Sequence, residues 1–600
     1  MRLNVQHRIL SQTGAEAIER TEVIQPLWND YGTLTRVHLC GGPHASVIMK
    51  HIQIPEQLQH PRGFATDMSR RRKIRSYQIE MHWYRNLNDC LGDGAPTPDC
   101  LDAFSDGQDL FLLLEDLHCR GFDRVHNGVQ WAEMLVVLEW LAAFHATFIG
   151  DPAEGLWPSG TYWHLQTRPD ELAVIDGTRL HRYAALIDAR LRCSAFSTIV
   201  HGDAKLANFL FSGDRLRVAA VDFQYVGRGP AMKDVAYFVG SCLSGSECER
   251  RETVILDRYF DALRRHLPAS VDAELIETDW RPLYPIAWAD FERFMLGWSP
   301  GHRKLTDYSD ATTNRALEFI TDELLTAATA AARAAGSFIM ASRGQPLSVQ
   351  SKGMASPAAD AVTEIDVAAQ AIIAEHLAET VQRYDLGVLA EEGAHDDSRM
   401  RKHAFWAVDP LDGTQNFVEG KTGFATSIAL VSQQGETLLG VVYDPVNDRL
   451  YEAVKGGGVK VNGSPMAPLS DEHGLNRTAW YADRSLKRHP RFEAYTAAFH
   501  VRFEGGAVMN GIHVLTQPNS IYAKGPKPTR GGCAIWDLAA VSLMIQESGG
   551  SVQTYGGKPL PLNRPHTVYF NDVGFLMSSG DSGGAHALQQ IRLIDASLLE

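Results

Sequence analysis

The chain has 600 residues, too many for a single hydrophobic core, so several domains are expected. Its 44% hydrophobic and 22% charged content is that of a globular protein rather than a disordered or fibrous one. A formal net charge of −15 argues against a surface built for nucleic acid or an anionic membrane. It leaves room for phosphorylated small molecules, because bound cations reverse the potential inside a cleft. The first ten residues hold no apolar run of signal-peptide length. The most apolar stretch, residues 134–150, is interrupted by Glu139 and His145 and is too short to span a bilayer. Eight cysteines without a C-x-x-C pair indicate neither a zinc site nor a disulfide framework. The expectation is a cytoplasmic protein with no nucleic-acid or membrane partner.

From residue 25 to about 55, alternating apolar positions and glycine-bearing turns predict an antiparallel sheet. One of its strands, S-V-I-M-K, ends in Lys50, which would point its ammonium off the strand, where a solvated edge lysine is the more common fate. Ile79, Trp83 and Leu87 recur at helical spacing with Glu80 beside them. Residues 110–114 form a five-residue apolar run, read as a buried strand closing in Glu115-Asp116, and residues 129–148 have helical periodicity.

The segment V-H-G-D-A-K-L-A-N-F-L-F places Asp203 two residues after His201 and Asn208 five after Asp203. A strand-like run, residues 216–221, then delivers Asp222. Phosphoryl transfer from ATP needs a carboxylate to receive the hydroxyl proton, and an Asn and an Asp to hold Mg²⁺ against the phosphates. Each residue alone fits an ordinary loop; their combination is far more specific.

Residues 1–321 resemble the aminoglycoside-phosphotransferase and choline-kinase-like superfamily, in the manner of its ecdysteroid-kinase-like branch. H-G-D-A-K-L-A-N, V-D-F-Q, E-D-L, F-H-A-T and K-D-V-A-Y-F-V-G-S near Asp234 carry the resemblance. It implies an α+β, two-lobed protein-kinase-like domain that phosphorylates a small-molecule hydroxyl acceptor from ATP and Mg²⁺. Asp203 would be the catalytic base, with Asn208 and Asp222 as metal ligands. Lys50 would contact the ATP phosphates and pair with Glu80. Residues 114–117, including Glu115 and Leu117, would form the hinge that holds adenine. The segment expected over the phosphates lacks a G-x-G-x-x-G run, and Phe-Gln rather than Phe-Gly follows the metal Asp.

Residues 280–298 combine Trp280, Tyr284, Trp288, Phe291 and Trp298 with Asp290 and Glu292. Two readings stand: an acceptor site for a cationic or polyhydroxylated molecule, or helical core with a solvated face. Residues 310–342 read as one long helix, alanine-rich from 325, with no Pro/Gly/Ser-rich linker. The domain boundary is expected at 321/322, between halves that abut.

In the second half, Asp366 near a predicted helix start suits the helix dipole. Residues 386–390 form an apolar run delivering Glu391-Glu392-Gly393. Residues 405–417, F-W-A-V-D-P-L-D-G-T-Q-N-F, then supply Asp409, Asp412, Gly413 and Thr414. Much later R-G-G-C-A-I-W-D-L-A-A puts Asp537 at a helix start. Two strand ends and a helix start thus present four carboxylates that can converge on Mg²⁺, an arrangement that clamps an in-line displacement. Thr414 would orient the attacking water, and the amides of Gly413, Thr414 and Gln415 would cradle a phosphate.

The order A-E-E-G, D-P-L-D-G-T-Q-N-F, G-V-V-Y-D-P and I-W-D-L-A-A resembles the inositol monophosphatase superfamily, which includes 3′(2′),5′-bisphosphate nucleotidases, over residues 322–600. This implies a layered α/β/α/β domain and Mg²⁺-dependent hydrolysis of a phosphorylated small-molecule substrate. The metal ligands carried over are Glu391, Asp409, the Leu411 carbonyl, Asp412 and Asp537. Glu392 would stand behind them as a catalytic group, and Lys352 and Asp366 would border a third metal position. Lys524, Lys527 and Arg530 read equally as a second-phosphate site and as solvated loop residues.

The whole chain reads as a small-molecule kinase fused to a phosphomonoesterase, adding and removing a temporary phosphate in a biosynthetic or self-resistance pathway. The alternative is a bisphosphate nucleotidase or inositol phosphatase with an N-terminal nucleotide-binding regulatory, pseudokinase module. A homodimer is compatible with either.

Overall fold

A computed structural model describes residues 2–54, 66–126, 128–344, 349–351, 361–467 and 477–596. Its contacts divide the chain into two compact units, Met1–Phe319 and Ile320–Glu600.

The first unit opens on a five-stranded antiparallel sheet, in the order Ala17–Pro26, Gly32–Cys40, Ser46–Ile52, Asp109–Glu115, Cys100–Asp106. Both of its faces are covered. Val37, Val47, Met49, Phe111 and Leu113 pack against Val5 and Ile9 of the helix Leu3–Thr13. On the other side Tyr31 and Ile52 meet Tyr77 of the helix Asp67–Asn86. Two-sided burial explains why residues 110–114 read as an unbroken apolar run rather than an alternation.

The rest of this unit is mainly helical, built around Trp131–Thr147, Arg179–Arg192, Met232–Cys242, Gly245–His266 and Leu283–Trp298. Short strands at Thr198–Val200, Phe209–Ser212 and Val218–Ala220 frame the loops that carry Asp203 and Asp222.

The segment 280–298 is helical core. Trp280 and Tyr284 are fully buried, and Asp290 is spent on Arg293 at 2.9 Å and on the Trp163 indole at 3.0 Å. Glu292 is buried against Thr313. A cationic acceptor therefore finds no carboxylate here; only Phe294 and Trp298 of the helix Leu283–Trp298 reach the cleft described below. Asp290→Ala would leave a fully buried guanidinium without its carboxylate, at a cost of about 3–5 kcal/mol. Chemical denaturation of the full chain should show the first unit unfolding earlier while phosphate release by the second persists.

The second unit stacks two sheets around a pair of helices. The larger sheet runs Gly387–Ala390, Ala404–Asp412, Ala425–Ser432, Thr437–Asp444, Arg449–Val454, Gly458–Val461, Ser464–Pro465. The smaller runs His500–Arg502, Ala479–Tyr481, Ser520–Lys524, Phe575–Ser578, Ser551–Thr554. Ala507–Thr516 and Ile535–Glu547 lie between the sheets in one core with Phe405, Ala407, Tyr522 and Met577. Trp406 points to the opposite face and donates to Thr380 of the helix Glu364–Arg383 at 3.1 Å. Every residue of Ala404–Asp412 is consequently buried. Beyond the smaller sheet, Ala587, Leu588 and Ile591 of Asp581–Ala596 cover Trp480, Ile521 and Leu576.

The helix Asp307–Ala341 crosses the point where the contacts divide. By length and composition it could cross a membrane. However, Ala328, Ala331, Ala335 and Ile339 are fully buried, and Gly336 approaches the Tyr443 ring so closely that a Cβ would collide with it. Small side chains here let helix and sheet approach, and the apolar side of the helix faces protein.

Candidate active sites

In the first unit a cleft of about 800 Å³ lies between the five-stranded sheet and the helical part. Lys50, Glu80, Glu115, Leu117, Asp203, Asn208 and Asp222 all line it. Lys50 Nζ donates to both Glu80 oxygens, at 2.8 and 2.7 Å, and to Asp222 Oδ1 at 3.1 Å. Burial alone would lower the Lys50 pKa; Asp222 and Glu80 outweigh it and hold the ammonium raised. Asp222 feels the reciprocal effect: burial opposes its charge, but Lys50 and Lys205 keep it well below the usual carboxylate range. Asp222 also has φ 73°, a left-handed backbone that aims its carboxylate off the strand end.

The loop carrying Asp203 is fixed from behind. Buried Asp234 accepts from the amides of His201 at 2.5 Å and Gly202 at 2.9 Å, and pairs with His145 at 3.1 Å. Asn208 Nδ2 donates to the Asp203 carbonyl at 2.8 Å and to Asp203 Oδ2 at 3.2 Å, and Lys205 Nζ reaches the same Oδ2 at 2.8 Å. Asp203 Oδ1 is buried with no hydrogen-bond partner. One oxygen is thus tied down and the other open, the state in which a carboxylate can take a proton from an incoming hydroxyl. At the other end of the cleft, Glu115 accepts from Arg120 at 3.0 Å, and the residues 114–117 bridge the two parts of the unit.

In the second unit a pocket of about 490 Å³ is lined by Glu391, Asp409, Leu411, Asp412, Gly413, Thr414, Gln415 and Asp537. Ligand atoms of Asp409, Asp412 and Asp537 all lie within 4.8 Å of one another. Burial and the charges of Glu391 and Asp412 push Asp409 well above the usual carboxylate range. Burial and Asp537 do the same to Asp412, and burial with Glu391 raises Asp537 to about 7. Asp409 Oδ2 has no hydrogen-bond partner. Crowded, buried, oxygen-only donors with an open oxygen suit a hard divalent cation such as Mg²⁺. Thr414 Oγ1 donates to Asp366 Oδ1 at 3.0 Å, so the helix Glu364–Arg383 orients that hydroxyl.

Glu392 is not among the residues lining the pocket; its amide and carbonyl are held by the Gln370 side chain at 2.9 and 2.6 Å. Lys352 lies outside the described residues. Lys524 lines the pocket, whereas Lys527 and Arg530 are exposed and do not. Lys524 is engaged by Asp483 and by Cys533 Sγ at 2.9 Å. Asp483 has no signature in the sequence; it follows the strand Ala479–Tyr481, whose parallel pairing with Ser520–Lys524 brings it to Lys524.

Gly506 is a second residue without a signature. The amides of Ala507 and Val508, at the start of Ala507–Thr516, hold the two Asp412 oxygens at 2.9 Å each. A Cβ on Gly506 would collide with that carboxylate. Gly506→Ala should therefore cut phosphate release by about a hundredfold, the upper end of what misplacing a metal ligand costs, with little change in ATP turnover. A coupled phosphate assay against an ATP-consumption assay separates the two.

Comparison with known proteins agrees with this division. Residues 320–592 match the sequence model of the inositol monophosphatase family, and residues 57–276 that of the phosphotransferase enzyme family. The inositol-1-monophosphatase of Bacillus subtilis is 30% identical over 242 residues, 39% of this chain and 87% of that protein. The Nus factor SuhB of Vibrio cholerae is 30% identical over 277 residues, 45% of this chain and 96% of that protein. The Thermotoga maritima IMPase structure aligns with 44% of this chain and 96% of its own, at 25% identity and a TM-score of 0.37.

The matches define a class, an enzyme in which a kinase is fused to a phosphatase. More particularly, the chain belongs through its second half to the inositol monophosphatase family, behind a domain of the phosphotransferase enzyme family.

Proposed function

We propose that the first unit transfers the terminal phosphoryl group of ATP to the hydroxyl of a small molecule, and that the second hydrolyses a phosphate monoester with Mg²⁺. The observation that carries this is that each unit gathers expected groups around its own pocket: Lys50, Glu80, Asp203, Asn208 and Asp222 in the first, Glu391, Asp409, Asp412, Thr414 and Asp537 in the second. In the first, Asp203 Oδ1 receives the acceptor's proton while Lys205 and Asn208 hold Oδ2 in place. Asn208 and Asp222 hold Mg²⁺, Lys50 steadied by Glu80 meets the phosphates, and residues 114–117 take the adenine.

In the second unit Glu391, Asp409, the Leu411 carbonyl, Asp412 and Asp537 hold the metal. When bound, the metal neutralises phosphate charge and lowers the pKa of water. Thr414, fixed by Asp366, orients the water, and the amides of Gly413, Thr414 and Gln415 face the phosphate. The leaving group meets the Lys524–Asp483 pair, which offers one donor and one acceptor. Arg484, Lys487 and Arg488 line the same pocket, so its donors suit a leaving group with hydroxyls or a second phosphate, as in a sugar, inositol or nucleotide phosphate.

The domain assignment is residues 1–321 for the kinase and 322–600 for the phosphatase, in the cytoplasm. Two opposed activities on one molecule would consume ATP without yield. We therefore read the phosphate as temporary, added before and removed after an intervening modification. The test is ATP consumption and phosphate release measured over one shared library of alcohols and their phosphates. Turnover in both assays supports the reading. Phosphate release without ATP consumption on any acceptor leaves the first unit as a nucleotide-binding regulator.

A further inference from the structure

The kinase cleft contains an arginine that no carboxylate among the described residues hydrogen-bonds. Arg72, in the second turn of Asp67–Asn86, lines the cleft and is half-buried. Its Nη1 donates to the Thr167 carbonyl at 2.6 Å and its Nη2 to Ser69 Oγ at 3.1 Å. Both partners are uncharged, and among the described residues no carboxylate is hydrogen-bonded to it. Burial, and then the charge of Arg168, bring its pKa down to about 10, against the smaller opposing pull of Tyr225, Glu171 and Asp170. A guanidinium desolvated without a carboxylate is a costly arrangement unless an anion completes it.

The neighbouring charges have their own partners. Arg168 gives Nη1 to Glu171 at 2.9 Å and its other nitrogens to the Tyr162 carbonyl. Asp170 accepts from Thr66 at 3.4 Å. Lys73 donates to Gln224 at 2.7 Å, and Gln224 in turn holds Asp222, so Lys73 belongs to the nucleotide side. Arg72 lines the same cleft as Arg168, Tyr162 and Phe294, and is close enough to Arg168 to feel its charge. There Arg168 stacks 4.8 Å over the Phe294 ring, and Tyr162 is close enough to Asp203 to feel its charge. Asp203, with its open oxygen, and Arg72 thus line one cleft together with the rings of Tyr162 and Phe294.

We infer that the acceptor is a hydroxy acid, a molecule whose carboxylate, sulfate or phosphate is held by Arg72 while its hydroxyl meets Asp203. A planar guanidinium with free donors matches such a group in geometry as well as charge. A cationic acceptor would meet Arg72 and Arg168 here, while the open oxygen of Asp203 is taken by its hydroxyl. The step is balanced as an ordinary phosphoryl transfer: the hydroxyl oxygen bonds to the terminal phosphorus of ATP, the bond from that phosphorus to the bridging oxygen breaks, and the proton passes to Asp203. The product carries one more anionic group than the acceptor. This inference rests on the kinase reading above, and its test is arranged to fail separately.

ATP consumption by the full chain is measured with hydroxy acids, their amides and matched amino alcohols, for wild type, Arg72→Gln, Arg72→Lys and Asp203→Ala. The acids should be preferred by about tenfold or more in kcat/KM, as one charge-assisted hydrogen bond implies. Arg72→Gln should raise KM for the acid by a similar factor with KM for ATP unchanged, and Arg72→Lys, which keeps the charge but not the planar fork, should restore part of the preference. Preference for amides or amino alcohols, or an effect of Arg72→Gln on ATP instead of the acceptor, overturns the inference and leaves the kinase standing. If wild type shows no Asp203-dependent turnover, the kinase reading fails, and equilibrium dialysis of radiolabelled sulfate with EDTA decides the anion site alone. Sulfate binding lost in Arg72→Gln and kept in Arg72→Lys upholds the site; equal binding in all three proteins overturns it.

Discussion

Asp409→Asn should reduce phosphate release by at least about a thousandfold, because a bound divalent ion supplies several kcal/mol of charge stabilisation to the transition state. Asparagine has the same shape and keeps a neutral oxygen for the Leu411 amide, which now donates to Asp409 Oδ1 at 3.1 Å. ATP consumption should be untouched, since the two sets of groups lie in separate units.

The same substitution should stabilise the metal-free protein. The folded-state pKa of Asp409 is raised, so the folded chain holds that proton more tightly than the unfolded one. Stability from this group is present below the ordinary carboxylate pKa and lost as pH rises through the raised value. At neutral pH in EDTA, Asp409→Asn removes that penalty, and its melting temperature should lie above wild type. Adding Mg²⁺ should reverse the order. Lower stability in EDTA would mean that the buried carboxylates already have a compensating partner.

Asp203→Ala should lower ATP consumption by roughly 10²–10⁴-fold, the usual contribution of a positioned general base, and leave phosphate release intact. Lys50, Glu80 and Asp222 remain, so nucleotide should still bind. Calorimetric titration of an unreactive ATP analogue checks this directly. Loss of binding as well would show that Asp203 holds the loop rather than the proton, since Asn208 is anchored on it.

The parts legible in the sequence are those in which chemistry is packed into a few consecutive residues. His201, Asp203 and Asn208 lie within eight positions, and Asp409, Asp412 and Thr414 within six. Local geometry alone brings each group to one place. Lys50 with Glu80, and Asp537 with Asp409, needed the order of motifs along the chain and a family resemblance to be joined. What could not be read was burial. The acids and aromatics of residues 280–298 have the composition of a binding site, yet Asp290 and Glu292 are consumed by Arg293 and Thr313. Conversely, Arg72 stands in a run of arginines with the look of a solvated helix face, and only the fold partly withdraws it from water. Asp483 and Gly506 were invisible for a third reason. Their partners, Lys524 and Asp412, lie 41 and 94 residues away and are met only through strand pairing and helix placement.

The helix Asp307–Ala341 has a practical consequence. Before residue 320 it belongs to the kinase, where Arg315 pairs with Glu252 at 2.7 Å and Thr313 holds Glu292. After that point Ala328, Ala331 and Ala335 fill the interior of the phosphatase, and Thr329 donates to Glu452 at 3.1 Å. Residues on either side of position 320 in this helix thus serve the interiors of different units. Cutting the gene at 320 would strip one catalyst of buried side chains or leave the other with a frayed apolar tail. Separate expression should succeed only if both pieces keep copies of this helix, so the fusion is harder to undo than to make.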